Sequence, residues 1–130
     1  SQPAPKIIAE VESYIGQPVK GSGTCVDFPR LTVGTPQTKT WIKGPKPDEN
    51  TPTGTLVATF YDEGGTKYRS ESGKGHVGAW YGMNKTGIVL IDQYKSQRRL
   101  EIGKSPIRYD GTRNYNADAD NYYIVLFPPK

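Results

Sequence analysis

Two apolar runs, HVGAWYG at 76–82 and GIVLIDQY at 87–94, flank the polar tetrapeptide MNKT and read as an antiparallel hairpin. Two further runs rich in β-formers, TLVATFY at 55–61 and NYYIVLF at 121–127, supply partners for it. The only helical periodicity lies early. Ile7, Ile8, Val11 and Ile15 in KIIAEVESYI are near helical spacing, and Gly16 with Pro18 supplies a stop, which predicts a short amphipathic helix. A second helix is expected to begin near Cys25 with Thr24 as its cap, Pro29 being tolerable only in about its first turn. KGPKPDENTPTG at 43–54 reads as a surface loop and YDEGG at 61–65 as a turn. Helices early and an antiparallel sheet late make an α+β fold.

The 130 residues suit one domain over 1–130 with a single core, since a chain of this length buries roughly two-thirds of its unfolded surface. No stretch approaches the roughly 20 apolar residues that span a bilayer, so no membrane insertion is expected. The opening SQPAPK lacks the apolar centre of a signal peptide, and begins with Ser1 rather than methionine. The net charge of +4 suits an acidic partner such as nucleic acid, an anionic membrane or a carboxylate-rich cell wall. The basic residues are scattered, however. The only dense run, QRRLEIGK at 97–104, is interrupted by Glu101 and reads better as a solvated face; no nucleic-acid partner is expected.

The chain has one histidine and one cysteine. Midway between His76 and Asp92 lies Asn84, so a hairpin centred there sets the two directly opposite, with Cβ atoms about 4.5–5.5 Å apart. A one-residue slip would pair His76 with Gln93 instead. Asp92 ends the run GIVLI, where a half-buried carboxylate needs a partner. The plainer alternatives are an Asp that caps the next turn and a structural His on a sheet face. Cys25 follows a Gly-rich turn at an expected helix start, a setting that favours the thiolate and offers backbone N–H groups to an oxyanion. Its alternative is a small buried hydrophobe. One Cys, then one His, then an Asp is the chain order of papain-like enzymes. NADADN at 116–121 lacks the further oxygen ligands of a calcium loop, and neither a metal nor another cofactor is expected.

Gly23, Cys25 and Val26, then Trp41, Gly54–Thr55, Gly75–His76 and Asp92–Gln93 together resemble the pattern of the CHAP and NlpC class of papain-like peptidoglycan amidases. The resemblance is strongest to a compact bacterial subfamily linked to type VI secretion effectors, and runs over about residues 15–95. It implies a papain-like fold with N-terminal helices packed on the sheet. It implies Cys25 as nucleophile, His76 as general base and then acid, and Asp92 as the group that orients the imidazole. Gln93 is an auxiliary candidate for polarising the same site, and Tyr14 falls near where related enzymes place an oxyanion tyrosine. The implied activity is amide hydrolysis in peptidoglycan peptide stems by a protein secreted or delivered into a rival's periplasm and countered by an immunity protein. A non-catalytic wall-binding or protein-binding module, and a transpeptidase, deamidase or acyltransferase on the same fold, are the competing expectations. Trp80 and the tyrosines near this face would line a substrate or simply pack the core.

Overall fold

The computed structural model describes residues 2–94 and 99–130. Six strands, β1 (Ile42–Lys43), β2 (Leu56–Thr59), β3 (Val77–Met83), β4 (Gly87–Asp92), β5 (Gly103–Arg108) and β6 (Tyr122–Leu126), form one sheet in the order β1-β6-β2-β3-β4-β5. Every neighbouring pair is antiparallel. Among the described residues one regular helix, α1 (Asp27–Val33), accompanies four 3-10 turns. The segment at 61–65 is a turn, with Glu63 and Gly64 in left-handed conformations.

Both faces of the sheet are covered, because the central strands are apolar at consecutive positions rather than alternate ones. Leu56, Ala58, Val77, Ala79, Ile91 and Val125 join Phe28 and Trp41 in one cluster, while Val57, Trp80, Ile88, Leu90 and Tyr122 form another. The single core expected from chain length is thus two clusters sharing one sheet. Trp80 is 1 % exposed and belongs to the second of them, which excludes it as a substrate platform.

The amphipathic helix expected over 6–15 does not form. Ile7 bridges Thr55, the Ile8 N–H donates to Gly54 O at 2.9 Å and the Leu56 N–H to Lys6 O at 3.1 Å, so the chain runs extended beside β2. Only Val11–Tyr14 coils, as a 3-10 turn entered through a left-handed Glu10. Tertiary hydrogen bonding has overridden local periodicity. Gly54 permits the approach: at φ +93°, a Cβ there would lie 2.3 Å from Ile8 O.

The loop after β1 begins at Gly44, since Lys43 is paired with Val125. At the hairpin turn the Asn84 N–H donates to Gly87 O at 2.9 Å, and Asn84 Oδ1 accepts from the Thr86 N–H at 2.8 Å. Its register departs from the one expected. Met83 faces Ile88 near the turn, but Trp80 faces Leu90 and Ala79 faces Ile91, the shift being taken up between Trp80 and Met83, where Gly82 sits at φ +115°. Continued, that register places Gly78, not His76, opposite Asp92. His76 lies two residues further along, so it keeps the same face and meets Asp92 on the diagonal.

Candidate active site

His76 is held before its ring is considered. Its N–H donates to Thr59 Oγ1 at 3.0 Å, its carbonyl accepts from the Thr59 N–H at 3.1 Å, and Thr59 Oγ1 donates to Lys74 O at 2.8 Å. The imidazole Nε2 then lies 2.6 Å from Asp92 Oδ2, with the His76 side chain 12 % and that of Asp92 1 % exposed.

A carboxylate this buried needs every lone pair used. Ser105 Oγ donates to Asp92 Oδ1 at 2.6 Å, and Arg99 Nη2 reaches the same oxygen at 2.9 Å and Asp92 O at 3.0 Å. Arg99 Nη1 also donates to Ser105 Oγ at 2.6 Å, and its guanidinium stacks 4.5 Å over the Tyr94 ring. The basic run read as a solvated face therefore turns its one arginine within the described residues inward; Gln97 and Arg98 lie outside them. Room for that comes from Gly103, which pairs with Asp92 across β4–β5 and whose Cβ would stand 3.0 Å from Arg99 Nη2. Asp92 thus has a glycine opposite it on each side, Gly78 on β3 and Gly103 on β5.

Cys25 sits not in the helix but two residues ahead of it, and Val26 rather than Thr24 is the boundary residue, with no side-chain cap. Pro29 is the third helical residue, where its missing N–H costs nothing. The loop before the cysteine is fixed from two directions. Asp27 accepts from the Ser22 N–H and Oγ–H, each at 2.8 Å, and ion-pairs with Arg30 at 2.9 Å. Those bonds hold the Asp27 carboxyl below its ordinary range, the Ser22 backbone N–H being the largest contributor.

Gln93 supplies the second anchor. Strand alternation sends it to the opposite face from Asp92. Fully buried, it accepts from the Lys20 N–H at 2.6 Å and donates to Lys20 O at 2.9 Å and Thr24 O at 2.8 Å. Both amide protons are spent on the cysteine loop, so Gln93 places Cys25 rather than polarising the imidazole. Tyr14 packs edge-to-face on Phe28, with ring centroids 5.5 Å apart, and lies under Lys20 Nζ at 5.4 Å, so its ring is engaged by the core and the cysteine loop.

The thiol and the imidazole form a coupled pair. Burial pushes the Cys25 thiol up, but the hydrogen bond and charge of His76, with smaller help from Tyr68 and the Val77 backbone, carry it below the ordinary value. For His76, burial favours the neutral ring, yet the Asp92 hydrogen bond, followed by that of Cys25, raises it to about 10. Between those limits the pair is thiolate and imidazolium. Because Nε2 is committed to Asp92, Nδ1 is the nitrogen left for sulfur. Tyr68 was not visible in the sequence as a partner; its hydroxyl lies 3.6 Å from Cys25 Sγ.

Cys25, His76 and Asp92 line one cleft of about 860 Å³, walled by Tyr94, Tyr109 and Tyr122 and by the segment from Ser105 to Asn114. Beside it lies a smaller recess of about 360 Å³ whose wall shares Gly73 and Arg113 with the cleft and adds Lys74. Nothing in the site gathers metal ligands among the described residues. The D-x-D of NADADN serves turns: Asp118 Oδ1 accepts from the Asp120 N–H at 2.9 Å, and Asp120 Oδ2 from the Asp110 N–H at 3.1 Å.

An antiparallel sheet bearing an imidazole–carboxylate pair, with a thiol just ahead of the helix packed against it, defines the papain-like α+β class. The solved structure of a protein described as type 6 secretion amidase effector 2 superposes with a TM-score of 0.81 at 22% identity, covering 95% of this chain and 96% of that one. No curated protein matches in sequence. The family model for domesticated amidase effector 2 matches residues 4–125, and the chain belongs to that family. It is an amidase of the effector type. The non-catalytic binding module is thereby set aside.

Proposed function

We propose that this amidase is a cysteine hydrolase of bacterial peptidoglycan that cuts amide bonds in the peptide stems. One observation carries the reading: Cys25 lines the same cleft of about 860 Å³ as His76 and Asp92, whose side chains are hydrogen-bonded to each other at 2.6 Å. The Cys25 thiolate attacks the scissile carbonyl carbon. A C–S bond forms, and as the C–N bond breaks the leaving amine takes the proton from His76. Water then attacks the thioester, gives a proton to His76 and releases the acid, which regenerates the thiolate–imidazolium pair. Asp92 holds the ring with one nitrogen toward sulfur and favours its charged form.

Stem peptides carry free carboxylates, and the recess beyond Cys25 suits them. Lys74 and Arg113 line it without an acidic neighbour in its wall, and neither has an ion-pair partner among the described residues. Delivery into a rival's periplasm, with a cognate immunity protein guarding the producer, completes the reading; the match to an effector family supports it. No helix of the described residues is long and apolar enough to cross a membrane.

The test is digestion of purified cell walls with wild type and Cys25→Ala, reading newly released amino groups and identifying the products by mass. New amines and free acids with wild type alone support hydrolysis. Ammonia release or amine exchange in place of chain scission identifies a deamidase or transpeptidase instead. Undiminished release by Cys25→Ala would sink the cysteine mechanism.

A further inference from the structure

The nucleophile has a neighbour that the proposed reaction has not used. Tyr68 is 5 % exposed, its ring lies 4.7 Å from that of Trp41, and its Oη is 3.6 Å from Cys25 Sγ. Trp41 is itself immobile: fully buried, its indole N–H donates to Pro36 O at 3.1 Å and its ring meets Phe127 edge-on at 5.8 Å. The tyrosine is therefore presented to sulfur by a rigid aromatic stack, not by a surface loop alone.

We propose that Tyr68 is a thiolate-holding residue, donating its phenolic hydrogen to Cys25 Sγ from the side away from the cleft so that the sulfur lies between Tyr68 and His76. This rests on the reading of Cys25 as nucleophile. Direction decides the role. A phenol donates to a thiolate only while it keeps its proton, and burial, followed by the negative charge on Cys25, pushes Tyr68 well above its ordinary value. Tyr68 is absent from the residues that line the cleft, which separates it from an oxyanion donor: it acts on the sulfur, not on the substrate carbonyl. It has two effects. It favours the thiolate at neutral pH, and it limits the positions the sulfur can take relative to an incoming carbonyl.

The test is the pH midpoint of Cys25 alkylation by iodoacetamide, with thiolate absorbance as a second reading, in wild type, His76→Ala and Tyr68→Phe. Phenylalanine keeps the ring against Trp41 and removes only the hydroxyl, so a packing role alone would leave the midpoint unmoved. The expected midpoint rises by about one unit in Tyr68→Phe, a tenfold loss of thiolate at fixed pH below it, with kcat reduced and KM kept. A wild-type midpoint below the ordinary range that Tyr68→Phe leaves unchanged overturns the Tyr68 assignment while sparing Cys25. An ordinary wild-type midpoint overturns both. Should Tyr68→Phe fail to fold, 3-fluorotyrosine at position 68, a stronger donor in the same ring, is expected to move the midpoint down; no movement overturns the assignment.

Discussion

Gly78 stands directly across the β3–β4 pairing from Asp92, and its missing side chain is what lets Asp92 reach diagonally to His76. A Cβ at 78 would lie 3.2 Å from Asp92 Cβ and 3.1 Å from Leu90 Cβ, both on buried side chains with nowhere to move. Gly78→Ala should therefore lower kcat by about 10-fold or more while destabilising the fold by only about 1–3 kcal/mol, the usual cost of overpacking. Steady-state kinetics beside a denaturant melt tests this, and unchanged kcat in a folded variant would refute it.

The ionisations predict a broad pH–rate plateau. Activity rises as Cys25 loses its proton, below the ordinary thiol value of about 8.5, and falls as His76 loses its own near 10. Asp92→Asn removes the hydrogen bond to an anion that raises His76, so burial then pulls the imidazole down and the alkaline limb moves toward neutrality. The maximal rate should drop on the order of 10²–10⁴-fold. A kcat/KM profile across pH 5–11 for both proteins measures this, and an alkaline limb indifferent to Asp92 would count against the orienting role.

How much of this was legible follows a physical divide. β2, β3, β4 and β6 were readable because β-branched and aromatic runs at 55–61, 76–94 and 121–127 carry their own pattern; β1 and β5 were not, since Ile42–Lys43 is only two residues long and GKSPIR holds a single β-branched residue. The His76–Asp92 pair was readable despite a wrong register, because an error of two residues preserves the face of a strand. The helix at 6–15 misled, since its fate depends on backbone groups of Gly54 and Leu56, far along the chain. Arg99, Ser105 and Tyr68 were out of reach for the same reason. Each reaches the site through tertiary placement, and no spacing in the sequence marks it. One weak signal did exist: a glutamine, Gln93, at the end of an apolar run.

That glutamine yields the next prediction. Gln93→Leu takes the buried side-chain partner from the Lys20 N–H and from the carbonyls of Lys20 and Thr24, at a cost of about 1–3 kcal/mol. Because the freed loop carries Cys25, the alkylation midpoint should move up toward the ordinary thiol range in the folded variant. A melt that falls while the midpoint stays put would reduce Gln93 to a purely structural residue.

Lys74 and Arg113 should govern substrate affinity and not the chemical step. Lys74→Gln with Arg113→Gln is expected to raise KM about 10-fold on stem peptides with free carboxylates, leave kcat intact, and have little effect on amidated peptides. Wild-type KM should also climb with salt, since surface charges are screened within about 10 Å at 0.1 M. Equal KM changes on free and amidated peptides would exclude a carboxylate site in the recess.

Asp27 links the cysteine loop to acid stability. Its carboxyl is depressed in the folded protein, so its contribution is present above the unfolded value of about 3.9 and is lost as pH falls through the lower folded one. Protonation weakens the charged acceptor that holds the Ser22 N–H and Oγ–H and removes the charge that pairs with Arg30, and Gly21 lies so close that a Cβ there would meet Asp27 Oδ2 at 2.4 Å. Asp27→Asn should thus lower stability by about 1–2 kcal/mol at pH 7 and by progressively less on going to pH 2. Denaturant melts at a series of pH values measure the difference between the two proteins. A difference that stays constant from pH 7 to pH 2 would show that the carboxylate charge is not what fixes the loop ahead of Cys25.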